Sequence, residues 1–277
     1  MPTDVEANVS RHYARRDLES IIIEALCASG LDPEALKPGD LAPVDEFHMG
    51  GRAATAVLAE ALDLKSTARV LDIGCGLGGA ARYFASQAGC RVTGIDLTPG
   101  YVEVAAALTR RVGLADLVDF RVASAVDLPF PAQCFDAASL IHVGMNVPDK
   151  ARICSEAARV LRPGGRFAIY DVMKVGAGDI SYPTAWAAGA ETSFLAGPGA
   201  YRDSLAAAGF TLTMERDQRD LALDVFKRFR ARVVERGPSP LGLHLLMGAD
   251  AAAKAANMVA TLEGGVIAPI LMVAVRA

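Results

Sequence analysis

The sequence has no large excess of positive or negative charge, no closely paired cysteines and no cluster of histidines. The 277 residues carry a formal net charge of −4 with no long run of either sign, which disfavours a nucleic-acid groove, because such grooves show a basic stripe. The five cysteines form no CxxC pair, so we expect free thiols in a reducing compartment rather than disulfides. The four histidines lack the spacing of metal ligands, and no metal is predicted.

Both ends of the chain lack long apolar segments. Residues 1–17 contain no apolar core of the kind that a secretory signal has. The apolar run at 264–277 contains Pro269 and is too short to span a bilayer. We therefore expect a cytoplasmic protein that does not interact with a membrane, and the oligomeric state stays open.

Strand-like and helix-like segments alternate through most of the chain, and 52% of its residues are hydrophobic. Apolar strands separated by helices predict a parallel sheet that is covered on both faces. The predicted strands are 69–73, 90–96, 118–122, 135–142, 167–173, 211–216 and 266–275. The predicted helices are 17–29, 51–64, 79–87, 100–112, 150–161, 201–208, 221–236 and 240–262, and residues 31–47 are expected to form a loop with short turns.

The stretch VLDIGCGLGG at 70–79 leads from a buried strand through a glycine-rich turn into a helix. Gly74, Gly76 and Gly78 allow a sharp turn and a close approach of the backbone to a ligand. Ligands of such sheets bind beyond the carboxyl ends of the strands, where Asp96 ends the second strand and suits ribose hydroxyls. The glycine spacing fits a nicotinamide dinucleotide as well as S-adenosylmethionine, so the glycines alone leave the cofactor open.

Asp72 favours S-adenosylmethionine over a dinucleotide. It interrupts an apolar strand two residues before Gly74, where a carboxylate is costly unless it is paired. A carboxylate beside a pyrophosphate would repel it, whereas one beside an ammonium and a sulfonium would attract them. The strand therefore indicates a cationic ligand.

The segment around Asp72 resembles motif I of class I S-adenosylmethionine-dependent methyltransferases. Four further segments continue the resemblance: GIDLTPGYVEVA at 94–105, DFRVASAVDLPFP at 119–131, FDAASLIHVGMNV at 135–147 and RVLRPGGRFAIYDV at 159–172. Residues 45–55, 182–194 and 242–258 are similar to a small-molecule subgroup that includes sarcosine/dimethylglycine and tocopherol methyltransferases. The resemblance implies an α/β, Rossmann-like fold with a seven-stranded, mostly parallel sheet of order 3-2-1-4-5-7-6 and helices on both faces.

The resemblance also implies a division of the chain. Residues 1–64 would form an N-terminal helical lid, and residues 65–216 the S-adenosylmethionine-binding core. Residues 217–265 would form a helical cover inserted between strands six and seven, and residues 266–277 the last strand of the core.

A set of cofactor contacts follows from the same resemblance. Ser124 stands where the family usually carries an acid, and a serine holds the adenine amino group more weakly than a carboxylate does. The implied cofactor-binding residues are Asp72, Gly74, Cys75, Gly76, Gly78, Asp96, Leu97, Ser124, Ala125, Ile141 and His142.

The expected reaction is an in-line methyl transfer from S-adenosylmethionine to a small-molecule acceptor, with S-adenosylhomocysteine as product. His142, Asp171 and Tyr13 are the catalytic candidates. His142 could accept a proton or contact the cofactor only through its backbone, and Asp171 could orient an acceptor or simply be solvated. The acceptor could be apolar or a small amine.

Two other functions stay open at this point. The first is a cofactor-binding protein of the same fold with a non-methylating or structural role. The second, which is less favoured, is a nicotinamide-dependent oxidoreductase, against which Asp72 argues. A nucleic-acid substrate is not expected.

Overall fold

The computed structural model describes residues 4–15 and 17–277, and its core is a seven-stranded sheet. The strand order is β3-β2-β1-β4-β5-β7-β6, and β7 runs antiparallel to both β5 and β6 while the other pairs are parallel. The predicted fold class and strand order are therefore confirmed. The strands are β1 Arg69–Ile73, β2 Arg91–Asp96, β3 Val118–Val122, β4 Phe135–Ile141, β5 Leu161–Lys174, β6 Phe210–Asp217 and β7 Ile267–Arg276.

Eleven α-helices occur in the described part of the chain, and local sequence signals mark several of their ends. Pro99 and Pro198 open two of them, at a position where the missing N–H has no partner to lose. The helices are α1 Asp4–Tyr13, α2 Leu18–Ala28, α3 Ala42–Asp45, α4 Gly51–Leu62, α5 Gly79–Ala88, α6 Pro99–Arg111, α7 Lys150–Val160, α8 Pro198–Ala207, α9 Arg219–Arg236, α10 His244–Met247 and α11 Ala251–Glu263.

Helix α1 was not predicted from the sequence, and two predicted elements differ from the structure by more than three residues. The helix predicted over 240–262 is divided into α10 and α11, because Gly248 adopts a φ of 77° that ends α10. The fifth strand begins at Leu161 rather than at residue 167, because Leu161 already pairs with Phe135 before the chain loops out and resumes pairing at Arg166. Neither difference changes the strand order.

Apolar side chains cover both faces of the sheet. In β1, Leu71 and Ile73 belong to a core cluster with α7 and α8, whereas Val70 belongs to a cluster with α4 and α5. All three side chains are fully buried, and each contributes roughly 1.5–3 kcal/mol of hydrophobic stabilisation. Asp72 lies between them in the same strand, so its carboxylate is surrounded by the core.

Helices from both the N-terminal region and the segment before β7 pack together with α6. Leu18, Ile22 and Leu26 of α2 pack with Tyr101 of α6 and Leu246 of α10 in a third cluster. Residues 1–3 and Arg16 of the predicted lid lie outside the described residues, and the proposed domain boundaries stay a prediction. No helix in the described ranges combines the length and apolar character needed to cross a bilayer.

Candidate active site

A cavity of about 620 Å³ lies beyond the carboxyl ends of β1, β2 and β4. Strand β1 stands between β2 and β4, so the cavity lies where the strand order reverses, as expected for this class of sheet. Its other walls come from α1, from residues 42–51 and from the helices between β6 and β7.

The glycine turn after β1 forms the floor of the cavity. The amides of Gly74 and Cys75 both donate to the Ile95 carbonyl at 2.8 Å, which joins the turn to β2. A Cβ on Gly74 would lie 2.2 Å from Val143, whereas Gly76, at φ 54°, has no described atom within 4 Å of that position. The backbone at residue 76 is therefore open to a ligand.

Gly78 has a different function in the turn. It adopts a φ of 81°, caps α5, and a Cβ there would lie 2.6 Å from the Phe120 ring. Among the described residues that form the cavity wall, Cys75 and Leu77 are present and Gly78 is not. The structure places Gly78 in the packing behind the turn.

Asp72 supplies a buried carboxylate that is only half satisfied. Its side chain is 1% exposed, and Oδ1 accepts a hydrogen bond of 2.7 Å from Ser139, its register partner on β4. Oδ2 is buried and has no hydrogen-bond partner among the described residues. The Ala81 amide, which lies nearby, also lowers the pKa of the carboxyl.

The electrostatics of Asp72 favour a cation beside it. Burial raises the pKa of Asp72 to about 7, against the lowering effect of the Ser139 hydroxyl, and the carboxylates of Glu46 and Asp96 raise it further. A buried carboxylate without a full set of partners is costly, and a positive group in the cavity would remove that cost.

Asp96 ends β2 and lines the same cavity. Its Oδ2 accepts from the Gly76 amide at 2.9 Å, and its Oδ1 accepts from the Thr98 amide at 2.8 Å. Burial raises the pKa of Asp96, and these two amides oppose that shift. Each oxygen keeps a further acceptor position, so the carboxylate can still accept from two hydroxyl groups. Leu97 lies beside it in the wall.

The segment after β3 forms an adjacent wall. Ala123 donates its amide to the Asp96 carbonyl at 3.0 Å, which fixes the segment beside the end of β2. Ser124 and Ala125 line the cavity, and the Ser124 hydroxyl donates to Glu6 of α1 at 2.5 Å. Sequence analysis did not identify Glu6, because a helix residue 118 positions away carries no local signal of this contact.

His142 follows β4 and fixes the segment around Met49, which precedes α4. Its Nε2 accepts from the Met49 amide at 3.2 Å, so Nδ1 carries the proton and donates to the Tyr170 carbonyl at 3.1 Å. Tyr170 donates its hydroxyl to the Met49 carbonyl at 2.9 Å, so both main-chain groups of Met49 are held. Burial lowers the pKa of His142 to about 3, so the imidazole is neutral.

Both ring nitrogens of His142 are thus engaged by main-chain groups. This geometry supports a positioning role and gives no support to proton acceptance. His142 and Ile141 still line the cavity, in agreement with a backbone contact to a ligand.

A second polar cluster holds the residues on either side of Met49. Glu46 accepts from Arg52 and from the Thr55 hydroxyl, both at 2.5 Å. The Nε2 atom of His48 lies 3.2 Å from the Gly51 carbonyl, and burial lowers the pKa of His48 to about 4. The cluster fixes the chain that enters α4 and lines the cavity with neutral imidazole.

Tyr13 of α1 reaches across the cavity to Asn146. Its hydroxyl accepts from Asn146 Nδ2 at 3.0 Å, while burial raises the pKa of Tyr13, so the phenol keeps its proton. The Asn146 Oδ1 atom and the Tyr101 hydroxyl are buried and find no partner within the part of the chain that is described. These groups leave two further polar positions for a ligand.

Asp171 lies outside the cavity wall, on the opposite side of β5 from Tyr170. It is fully buried, and its Oδ2 accepts from the Tyr201 hydroxyl at 2.6 Å. Burial raises the pKa of Asp171 to about 7. The expectation that Asp171 is either a solvated acid or a group that orients an acceptor finds no support in this placement.

One end of the cavity is apolar. Trp186 is 2% exposed and donates its indole N–H to Ser193, so its ring is held as part of the wall. Met49, Met145, Trp186, Phe226 and Met258 line the cavity and belong to one apolar cluster. Leu243 and Leu246 line it from the cluster around α2, and Val225 and Met247 also line it. The cavity therefore has a polar end near Asp72 and Asp96 and an apolar end at the cluster that contains Trp186, Phe226 and Met258.

Comparison with known proteins agrees with this arrangement. Residues 71–169 match the family described as "Methyltransferase domain". Methyltransferase GfsG of Streptomyces halstedii is 38% identical over 134 residues, which are 48% of this chain and 48% of that protein. A probable chloroplastic tocopherol O-methyltransferase of Oryza sativa subsp. japonica is 42% identical over 105 residues, which are 38% of this chain and 29% of that protein. The chain thus spans less than half the length of these relatives.

A solved structure extends the comparison to the whole fold. The crystal structure of the [4+2]-cyclase SpnF has a TM-score of 0.69 at 24% identity, over 100% of this chain and 98% of that one. At this identity the likeness shows the fold. Residues 71–169 thus match a methyltransferase domain, and the whole chain shares the fold and strand order that go with it.

Proposed function

We propose that this protein transfers a methyl group from S-adenosylmethionine to an apolar small-molecule acceptor. The observation that carries the proposal is the buried Asp72 carboxylate, whose Oδ2 has no partner among the described residues and which lines the cavity beside the glycine turn. A cofactor with an ammonium and a sulfonium would supply the missing positive charge, whereas a pyrophosphate would add a second anion.

The polar end of the cavity fits this cofactor residue by residue. Asp72 would face its cationic groups, and the open backbone at Gly76 would allow it to approach the turn. Asp96 would accept from the ribose hydroxyls, and Ala125 with Leu97 would contact the adenine. The buried carboxylate and the glycine without a neighbour at its Cβ position support this assignment.

The cofactor supplies an electrophilic methyl group, so the protein's task is to orient the acceptor and to exclude water. Tyr13 and Asn146 hold α1 over the cavity, and the His142–Met49–Tyr170 contacts fix the neighbouring lid segment. Correct orientation of two reacting groups can contribute roughly 7–11 kcal/mol to lowering a barrier. None of the three candidate residues needs to act as a base unless the acceptor carries a proton at the attacked atom.

The apolar end of the cavity supports a hydrophobic acceptor rather than a small amine. Trp186, Phe226 and Met258 present large apolar surfaces there, and burial against such a wall contributes about 25 cal/mol per Å². One relative is named for methylation of tocopherol, which is also largely apolar. The attacked atom is not specified by these contacts.

A titration followed by a transfer assay tests the proposal. We expect saturable binding of S-adenosylmethionine by calorimetry, and strongly weakened binding in Asp96→Ala with the fold intact. The matched control is Asp116→Ala, which removes an exposed carboxylate distant from the cavity. Labelled methyl should then move to apolar acceptors in preference to sarcosine or dimethylglycine. Wild-type affinity in Asp96→Ala would refute the cofactor placement.

A second candidate function is catalysis without methyl transfer in the same cavity. It is favoured by the similarity of the whole fold to a protein named as a [4+2]-cyclase, and by the absence of a free base among the described catalytic candidates. The two functions differ in product mass, because only methyl transfer adds 14 Da and forms S-adenosylhomocysteine. A nicotinamide-dependent reaction is not proposed, because the matched family is that of methyltransferases.

A further inference from the structure

Helix α1 brings a carboxylate to the wall formed by the segment after β3. Glu6 lines the cavity, and its Oε1 accepts from the Ser124 hydroxyl at 2.5 Å. The Ser124 oxygen also accepts from the Val126 amide at 3.2 Å, which fixes the direction of the hydroxyl. The single hydroxyl proton of Ser124 is therefore committed to Glu6.

These bonds change which group can recognise a ligand at this wall. Ser124 retains one neutral acceptor position after its contacts with Glu6 and Val126. A carboxylate can accept several hydrogen bonds at once, and the Ser124 hydroxyl supplies one of those on Glu6. Because charge-assisted hydrogen bonds are about twice as strong as neutral ones, Glu6 is the stronger acceptor here.

The wall lies next to the ribose position. The Ala123 amide donates to the Asp96 carbonyl at 3.0 Å, so the chain from Ala123 to Val126 runs directly past the end of β2. A purine attached to a ribose at Asp96 would extend along this segment, toward Ser124 and Glu6. The exocyclic amino group of adenine is the donor that such a purine would present to a carboxylate.

We propose that Glu6 accepts a hydrogen bond from the adenine amino group and that Ser124 is its positioning residue. The inference rests on the proposed function, because it takes the ligand to be an adenosyl compound. The proposal assigns recognition of the adenine base to helix α1, which lies across the cavity from the segment after β3 that carries Ser124.

The assignment also connects base recognition with closure of the lid. None of the ten residues of α1 is fully buried, and side-chain hydrogen bonds across the cavity help to hold the helix. Those contacts are Glu6 with Ser124, Tyr13 with Asn146, and the His12 ring with the Ala185 carbonyl at 3.1 Å. An adenine bound to Glu6 would add a further contact to the same helix.

Calorimetry with two ligands separates recognition from lid stability. S-adenosylhomocysteine carries the 6-amino group, and S-inosylhomocysteine carries an oxo group in its place. We expect the wild type to prefer the adenosyl ligand. Glu6→Gln should bind it about 10- to 100-fold more weakly, with no comparable loss for the inosyl ligand.

Two further variants serve as control and rescue. Asp4→Asn removes the same charge from the first turn of the same helix at an exposed position outside the cavity, and should leave both affinities unchanged. Adding Ser124→Asp to Glu6→Gln should recover most of the lost preference, because it places a carboxylate on the opposite side of the same contact.

Each alternative outcome has a distinct meaning. If Glu6→Gln lost the same affinity for both ligands, Glu6 would only hold the lid. If the variant kept the wild-type preference for the adenosyl ligand, the contact between Glu6 and the amino group would be excluded. Either result overturns the inference while the proposed function stands. A wild type that binds neither ligand would overturn the proposed function and the inference with it.

Discussion

Replacing Asp72 by asparagine tests the charge that the cavity offers to its ligand. The substitution keeps the shape of the side chain and a group that can accept from Ser139, but it removes the negative charge. Hydrogen bonds to charged groups contribute about 1.5–3 kcal/mol, so affinity for S-adenosylmethionine at pH 8 should fall roughly 10- to 100-fold.

The pH dependence of S-adenosylmethionine binding gives a second, independent change in affinity that can be measured. Burial raises the pKa of Asp72 to about 7 in the free protein, so at pH 6 about nine-tenths of the carboxyl is protonated. A cationic ligand requires the ionised form, and ionising it at pH 6 costs about 1.4 kcal/mol. Wild-type affinity should therefore be about tenfold lower at pH 6 than at pH 8, with a proton released on binding.

Titration calorimetry at pH 6, 7 and 8 measures both effects, and buffers of different ionisation enthalpy report the proton. Ser139→Ala is the matched control: the Ser139 hydroxyl lowers the pKa of Asp72, so its loss should move the midpoint of the pH dependence upward. Asp72→Asn should show a flat profile over this range. Equal affinities of wild type and Asp72→Asn, or a wild-type affinity that rises as pH falls, would refute the reasoning.

Three substitutions test the turn, the lid contact and the buried acid. Gly74→Ala should destabilise the protein by roughly 2–5 kcal/mol in urea unfolding, because residue 74 has a positive φ and the new Cβ would clash with Val143. Adding Val143→Ala should recover part of the lost stability, and no recovery would contradict the predicted clash. His142→Asn should lower turnover about tenfold, because it releases Met49, and should leave the dependence of turnover on pH unchanged. If the variant lost one limb of that pH profile, His142 would act as a base. The free energy of unfolding of the wild type should fall as pH rises toward 7, because the pKa of the buried Asp171 is raised in the folded state. Relative to the wild type, Asp171→Asn should therefore become more stable by roughly 2–3 kcal/mol from pH 5 to pH 8. Denaturation curves that give the same difference between the two proteins at both pH values would contradict this.

The sequence predicted the sheet because strand and helix periodicities are local. The bounds of β1 and β3 agree with the prediction, and most helices differ from it by a residue or two at their ends. The break at Gly248 was missed, because a glycine inside a helical pattern signals only a modest cost unless its φ is known. The early start of β5 depends on pairing with β4 and has no local signal.

The polar end of the site could be predicted, whereas its closure could not. Asp72 and Asp96 stand in a pattern that links strand ends to a glycine turn, and both line the cavity. The contacts of Glu6 with Ser124 and of Met49 with His142 join residues 118 and 93 positions apart, and only the folded chain brings them together.

Asp171 shows a further limit of sequence reasoning. Strand ends identify the residues near a site, but successive side chains of a strand point to opposite faces. Tyr170 therefore reaches Met49, while Asp171 points to Tyr201 on the other face. The choice between the two faces depends on which helices pack there.

A crystal structure of the protein with S-adenosylhomocysteine tests the central claim most directly. The account predicts the ligand's ammonium group next to Asp72, with the ribose hydroxyls on Asp96 and the homocysteine sulfur facing the apolar end of the cavity. A ligand bound elsewhere, or bound in this cavity with its ammonium group far from Asp72, would contradict it.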